Sequence, residues 1–210
     1  MSARETILNR LRAVAAPDIH PPDVTTRRDV VPHKDVDLLA CFVAEAQKLT
    51  ASVHVAASEA DAFEALKHSL GGTQQIICWD AAYIPLTDFG AWLQQAGIER
   101  RPADDGRVKV SITGADAAIA ATGSLVVMSA PGKPRSASLT TDRHIAIIRE
   151  SQLVYNLEDW FRAQKHDLEA FRRTANIAII SGASRTADIA MELVLGAHGP
   201  AELHIIVLRD

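Results

Sequence analysis

The sequence predicts an α/β protein, a mostly parallel sheet covered by helices on both faces. Three observations predict it. Runs of β-branched apolar residues at 75–79, 144–148, 177–180 and 203–208 lack polar alternation, as strands buried on both faces do. Segments with apolar residues every three to four positions lie between them. Hydrophobic residues make up 48% of the 210 and charged residues 23%, enough apolar side chain for a sizeable core.

Taken in order, the first element is a helix. Ser2 and Glu5 fit a capping box, and Ile7, Leu8, Leu11 and Val14 share one face. Pro17, Pro21, Pro22 and Pro32 follow; each lacks an N–H and fixes φ, so this stretch is expected to be extended and irregular. Residues 1–34 are thus expected to be a helical arm with a proline-rich linker, and 35–210 the α/β domain. The alternative, a helix and strap packed on the same core, stays open. Val36, Leu39, Val43 and Ala46 mark a helix, 53–55 a short strand. Ser58 and Asp61 cap a helix carrying Phe63, Leu66 and Leu70, which Gly71 and Gly72 stop. The strand at 75–79 precedes a helix marked by Phe89, Trp92, Leu93 and Ala96 and closed by Gly97. Residues 108–112 read as a strand. The alanine-rich 115–121 fits helix or strand. Strands follow at 125–128 and 144–148. Leu157, Trp160, Phe161, Leu168 and Phe171 mark a longer helix. A strand at 177–180, a helix at 186–195 and a strand at 203–208 complete the order.

Composition excludes several classes. Two cysteines, Cys41 and Cys78, cannot build a disulfide scaffold, a four-thiolate zinc site or a four-cysteine iron–sulfur cluster from this chain alone. Their places, one in an amphipathic helix and one in an apolar strand, predict buried, inert thiols. Net charge is −4 with no basic stripe, so nucleic acid is not an expected partner. Only 101–150 leans basic, with seven Lys and Arg against five Asp and Glu. No apolar run approaches the roughly 18 residues of a membrane span. The N-terminal residues carry no apolar signal core, and a cytoplasmic chain is expected.

Three glycine-containing loops have the residue types that carry chemistry. The first joins Thr113-Gly114-Ala115-Asp116 to Thr122-Gly123-Ser124, just before a strand. The second, Ser181-Gly182-Ala183-Ser184-Arg185-Thr186-Ala187-Asp188, reads as strand, loop, helix. A helix start presents unpaired N–H groups, and Arg185 adds a charge suited to carboxylate or phosphate. Such a loop at the carboxyl end of a parallel strand is where open α/β sheets bind ligands. The plain alternative is an ordinary connection with Ser184 as N-cap. The third, Gly196-Ala197-His198-Gly199-Pro200, holds a histidine able to act as acid, base or ligand, or simply to pack in its turn. Lys133, Arg135 and Arg143 either add positive potential near these loops or lie in solvent. No P-loop, G-x-G-x-x-G or G-x-S-x-G pattern occurs in these loops, and no paired-histidine metal motif occurs, so no metal site is expected.

The ordered set Thr113-Gly114-Ala115-Asp116, Ala118-Ile119-Ala120, Thr122-Gly123-Ser124-Leu125-Val126, Ser184-Arg185-Thr186-Ala187-Asp188-Ile189 and Gly196-Ala197-His198-Gly199-Pro200 resembles lactate-utilization protein C, the YkgG-like LUD-domain family. The resemblance runs over most of the chain and is densest from about residue 107 onward. It implies a fold similar to the NagB/RpiA/CoA-transferase-like α/β sandwich. It also implies a part in bacterial oxidation of L-lactate to pyruvate beside partner proteins that hold the iron–sulfur clusters, this chain binding no cofactor. Family members usually carry Glu where this chain has Ala121 and Ala190. CoA transferases use a Glu nucleophile, so Ala121 speaks against that chemistry here.

The ligand-binding candidates, for a small carboxylate or phosphate, are Thr122, Gly123, Ser124, Arg135, Ser181, Gly182, Ser184, Arg185, Thr186 and Gly199. The catalytic candidates are Asp116, Asp188 and His198, none with an assigned role. The leading expectation is a non-iron–sulfur subunit of an L-lactate-oxidising system, whether or not the isolated chain catalyses anything. A stand-alone enzyme on a phosphorylated sugar or acyl-CoA, and a regulatory small-anion-binding module, are the alternatives.

Overall fold

A computed structural model describes residues 3–13, 35–166, 169, 171, 174–187 and 193–210. The expected cap at Ser2, the proline stretch, and Leu168, Asp188, Ile189 and Ala190 lie outside the described residues. The chain divides between Lys34 and Asp35 into two units. In the first, helix α1 (Ala3–Ala13) has Glu5 in its first turn and Arg10 and Arg12 in its last, matching the helix dipole. None of its residues is buried within this unit.

The second unit is built on a six-stranded, wholly parallel sheet. Its strands are β1 (Ser52–Ala56), β2 (Gln75–Cys78), β3 (Glu99–Arg100), β4 (Val110–Thr113), β7 (Arg143–Arg149) and β12 (Glu202–Leu208), in the order β1-β12-β7-β4-β2-β3. The last strand in sequence therefore sits inside the sheet. Apolar residues fill both faces of β7, where Ile145, Ala146, Ile147 and Ile148 are fully buried. Helix α3 (Glu59–Leu70) covers one face: Asp61 meets His54 of β1, and Ser69 meets Arg143 of β7 and His204 of β12. Its caps are as the sequence predicts, with Ser58 accepting from the Asp61 N–H and Gly71 in the left-handed region. Helix α4 (Phe89–Gln95) lies beside it, Trp92 stacked on Phe63 at 5.1 Å.

Helix α2 (Leu38–Lys48), capped by Asp37, also packs against β1 and buries Leu39, Phe42 and Ala46. A second, four-stranded sheet was not anticipated from the sequence. It comprises β5 (Ala117–Ile119), β6 (Ser124–Met128), β8 (Leu153–Val154) and β9 (Ile177–Ile180), in the order β8-β5-β6-β9. Its residues alternate between two cores. Ala118, Leu125, Val127 and Ile180 join the core of the large sheet. Ala117, Ile119 and Val126 turn the other way, onto Trp160 of α5 (Leu157–Gln164). β5 and most of β6 are buried on both faces, and β9 is apolar although Ile179 is exposed, so the strands show no polar alternation, and one sheet could not be told from two.

Where a helix was expected over 186–195, the described residues 186–187 and 193–195 form strands. β10 (Arg185–Ala187) pairs antiparallel with β11 (Leu193–Leu195), Thr186 opposite Val194. Ser184 extends the pairing through its main chain, its C=O accepting from Gly196 N–H at 2.9 Å and its N–H donating to Pro200 at 2.8 Å. Ser184 is therefore not an N-cap, and no helix start lies at Arg185. β-branched Thr186 and Val194 fit paired strands better than a helix.

Candidate functional site

Most of the sequence-predicted ligand residues gather around the C-terminal end of α2. Gly123 has φ +60°, and a Cβ there would stand 2.2 Å from the Ala46 nitrogen. Gly182 has φ +83°, and its Cβ would stand 2.4 Å from the Leu49 carbonyl oxygen. Both glycines thus let their loops dock on the α2 backbone, a role that leaves no space for a side chain. Gly199 lies against Ser184, 3.4 Å from its Cβ if a methyl is built on it. The loop after β9 is accordingly placed at the amino ends of β1 and β12, not at the carboxyl end of a main-sheet strand as the sequence suggested. The reason is that β9 belongs to the smaller sheet.

Three hydroxyls form a chain. Thr122 Oγ1 and Ser124 Oγ are 2.9 Å apart, and Ser124 Oγ lies 2.7 Å from Ser181 Oγ. Ser124 also reaches the Thr122 carbonyl at 3.3 Å and is buried, while Ser181 is exposed. A hydroxyl has one proton and two lone pairs. Ser124 donating to the carbonyl therefore leaves it accepting from both neighbours. The three hydroxyls line a cavity of about 270 Å³ with Ile179, Asn156 and Glu158, in which no described Lys or Arg takes part.

Arg185 is exposed and donates from Nη2 to the Leu49 carbonyl at 3.3 Å. It pairs with no acid among the described residues. The C-terminal end of α2 carries the negative pole of the helix dipole, which favours a guanidinium there. Thr50, next in the chain, has φ +66° and donates from Oγ1 to the same carbonyl at 2.6 Å. A β-branched residue in this region is strained.

Asp116 lies elsewhere and is fully engaged. Its Oδ2 accepts from the Met128 N–H at 2.7 Å and its Oδ1 from Lys133 Nζ. Lys133 is buried, 4.6 Å from the Trp79 ring centroid and 5.6 Å from that of Tyr83. The expectation of Lys133 as a solvated or field-giving loop lysine is corrected by this pairing. Arg135 is exposed in a 3-10 turn, Arg135–Ser138, which packs against β4. Thr186 occupies a paired strand position. His198 is exposed, and its ring bonds no described residue. Sequence inspection did not single out His144, which is wholly buried with Nε2 2.8 Å from Thr113 Oγ1. Burial pushes its pKa down to about 4. Cys78 is buried as predicted, and burial pushes its thiol up; Cys41 is half-buried.

The model of the LUD domain matches residues 39–208. The chain belongs to the LUD-domain family. It is 32% identical over 147 residues to "Lactate utilization protein C" of Shouchella clausii, covering 66% of this chain and 64% of that protein. The chain therefore spans just under two thirds of that relative's length. The protein of the same name from Deinococcus radiodurans is 28% identical over 207 residues, 97% of this chain and 92% of that one. Among solved structures, a DUF162 family protein from Deinococcus radiodurans superposes with a TM-score of 0.61 at 23% identity, over 81% of this chain and 96% of that one. The LUD-family chain thus shares the α/β fold of that structure.

Proposed function

We propose that this LUD-domain chain is a cluster-free component of bacterial L-lactate utilization. In this reading L-lactate is oxidised to pyruvate, and two electrons and two protons leave the substrate. The electrons pass to iron–sulfur clusters on partner proteins, because two cysteines in 210 residues cannot hold a four-cysteine cluster here. The observation that carries the reading is the convergence of the separated 122–124, 181–185 and 196–200 segments: Gly123, Gly182 and Arg185 meet the end of α2, and Gly199 and Pro200 meet Ser184. In a family whose relatives are named for lactate utilization, that convergence is the natural ligand and partner face. The chain works in the cytoplasm, where lactate and pyruvate are metabolised. Among the described residues, no helix is long and apolar enough to cross a membrane.

Deleting the gene tests the reading. Growth on L-lactate as sole carbon source should be lost, growth on glucose kept, and a plasmid copy should restore the first. Unimpaired growth of the deletion strain on L-lactate would overturn it.

A further inference from the structure

We propose that the pocket between the β10–β11 hairpin and the amino ends of β1 and β12 binds a small carboxylate through the Arg185 guanidinium. The inference deepens the preceding one: it takes the loops around the end of α2 as the ligand face and names where the anion sits. The pocket has a volume of about 310 Å³ and is lined by Thr50, Ser52, Arg185, Leu195, Glu202 and His204 among others. That is the small end of the range for ligand sites, suited to an acid of a few carbons.

Charge favours an anion. Glu202 is engaged by the Arg143 guanidinium, whose Nη1 also donates to the Ser69 carbonyl at 2.9 Å. His204 has Nδ1 3.2 Å from Ser69 Oγ and Nε2 3.5 Å from Glu202. Its partial burial, with Arg143 beside it, pushes its pKa down, so the ring is neutral near pH 7. Two guanidiniums against one carboxylate leave a net positive charge, and it resides on Arg185.

Geometry favours a carboxylate. A guanidinium offers five N–H donors in a planar fork matched to two carboxylate oxygens. One contact, to the Leu49 carbonyl, holds the fork, and its other donors bond no acceptor among the described residues. Thr50 bonds that same carbonyl while held at φ +66°, so the structure keeps a strained residue at the pocket wall. Strain of this kind gathers at ligand clamps. Leu195, 55% exposed, supplies an apolar wall for a methyl group. The hydroxyl cavity beside Ser124 and Ser181 has Glu158 and no cation among the described residues, and is the poorer place for an anion.

Titration calorimetry of the full chain with L-lactate, pyruvate and inorganic phosphate, at low ionic strength, tests the site. The expected result is one-to-one binding of a carboxylate, tighter than phosphate. R185A should weaken it at least about tenfold. L195E, which sets a carboxylate in the wall without touching the guanidinium's anchor, should weaken it comparably. R107A, at an exposed arginine paired with Asp105 outside the pocket, should bind like the unaltered chain. Unchanged affinity in both R185A and L195E would overturn the proposal, as would phosphate binding tighter than both acids, or no binding of either acid. Growth on L-lactate reports separately on the lactate role, so failure of the pocket is distinguishable from failure of that role.

Discussion

Asp116 has the residue type of a general acid or base, yet its oxygens are taken by Lys133 and the Met128 N–H. Its work is to hold the 130–134 turn to the start of β5, with Lys133 enclosed by Trp79 and Tyr83. Removing one member of a buried pair strands the other's charge, which costs about 3–5 kcal/mol. D116A, which strands the buried ammonium, should lose stability in that range in urea unfolding, K133A should lose less because Asp116 is only half-buried, and the double variant should lose less than their sum. Full additivity would show that the two do not act as a pair. His144 makes a different prediction. Its folded pKa, about 4, lies below the unfolded value near 6.5, so the folded state prefers the neutral ring. Its contribution is complete above pH 6.5 and is lost as pH falls toward 4, a change of about 3 kcal/mol. His204 shifts in the same direction. The difference in unfolding free energy between the unaltered chain and H144Q should therefore carry the His144 share alone, sloping between pH 6.5 and 4. A flat difference would contradict its burial as a neutral base.

At the scale of elements, docking of the 122–124 loop on α2 decides how the smaller sheet joins the larger one. A methyl at Gly123 meets the Ala46 nitrogen and must also adopt a positive φ. G123A is expected to lower stability by about 3 kcal/mol or more, read by thermal unfolding. An unchanged melting temperature would mean that the loop does not rest on the helix. What the sequence shows of these elements depends on how local their signals are. Helix α3 was legible because Ser58 and Gly71 are local start and stop signals. β2, β7 and β12 were legible because burial on both faces leaves nearly uninterrupted apolar runs, whereas β3, the exposed pair Glu99 and Arg100, gave no such signal. β6 and β9 looked the same as those strands, and only tertiary pairing puts them in a second sheet. The alanines at 115–121 have no side chain large enough to set a period; they form β5 and a 3-10 turn because Ala118 and Ile119 pair with β6 and β8. The pairing of β10 with β11 was missed because Ser184-Arg185-Thr186 mimics a helix start. The bonds that override it come from Gly196 and Pro200, ten or more residues on.

At the largest scale, two sheets place two motif segments on one helix end and the third against Ser184 of the second. The motifs' order was visible in sequence, but their meeting place was not, since Leu49 and Thr50 belong to no motif. Lys133 as the partner of Asp116, and Thr50, Ser52 and His204 as neighbours of Arg185, were hidden for the same reason: each pair is distant in sequence and joined only by packing. A chain with two cysteines cannot by itself carry electrons through a four-cysteine cluster, so a part in lactate oxidation requires company. Affinity purification of the tagged chain from cells growing on L-lactate, with protein identification and iron analysis of the eluate, tests this most directly. Stoichiometric iron–sulfur partner proteins and iron are expected in the eluate, and an iron-free tagged chain once those partners are stripped away. Recovery of the tagged chain alone, without partner or iron, from cells that still oxidise L-lactate would contradict it.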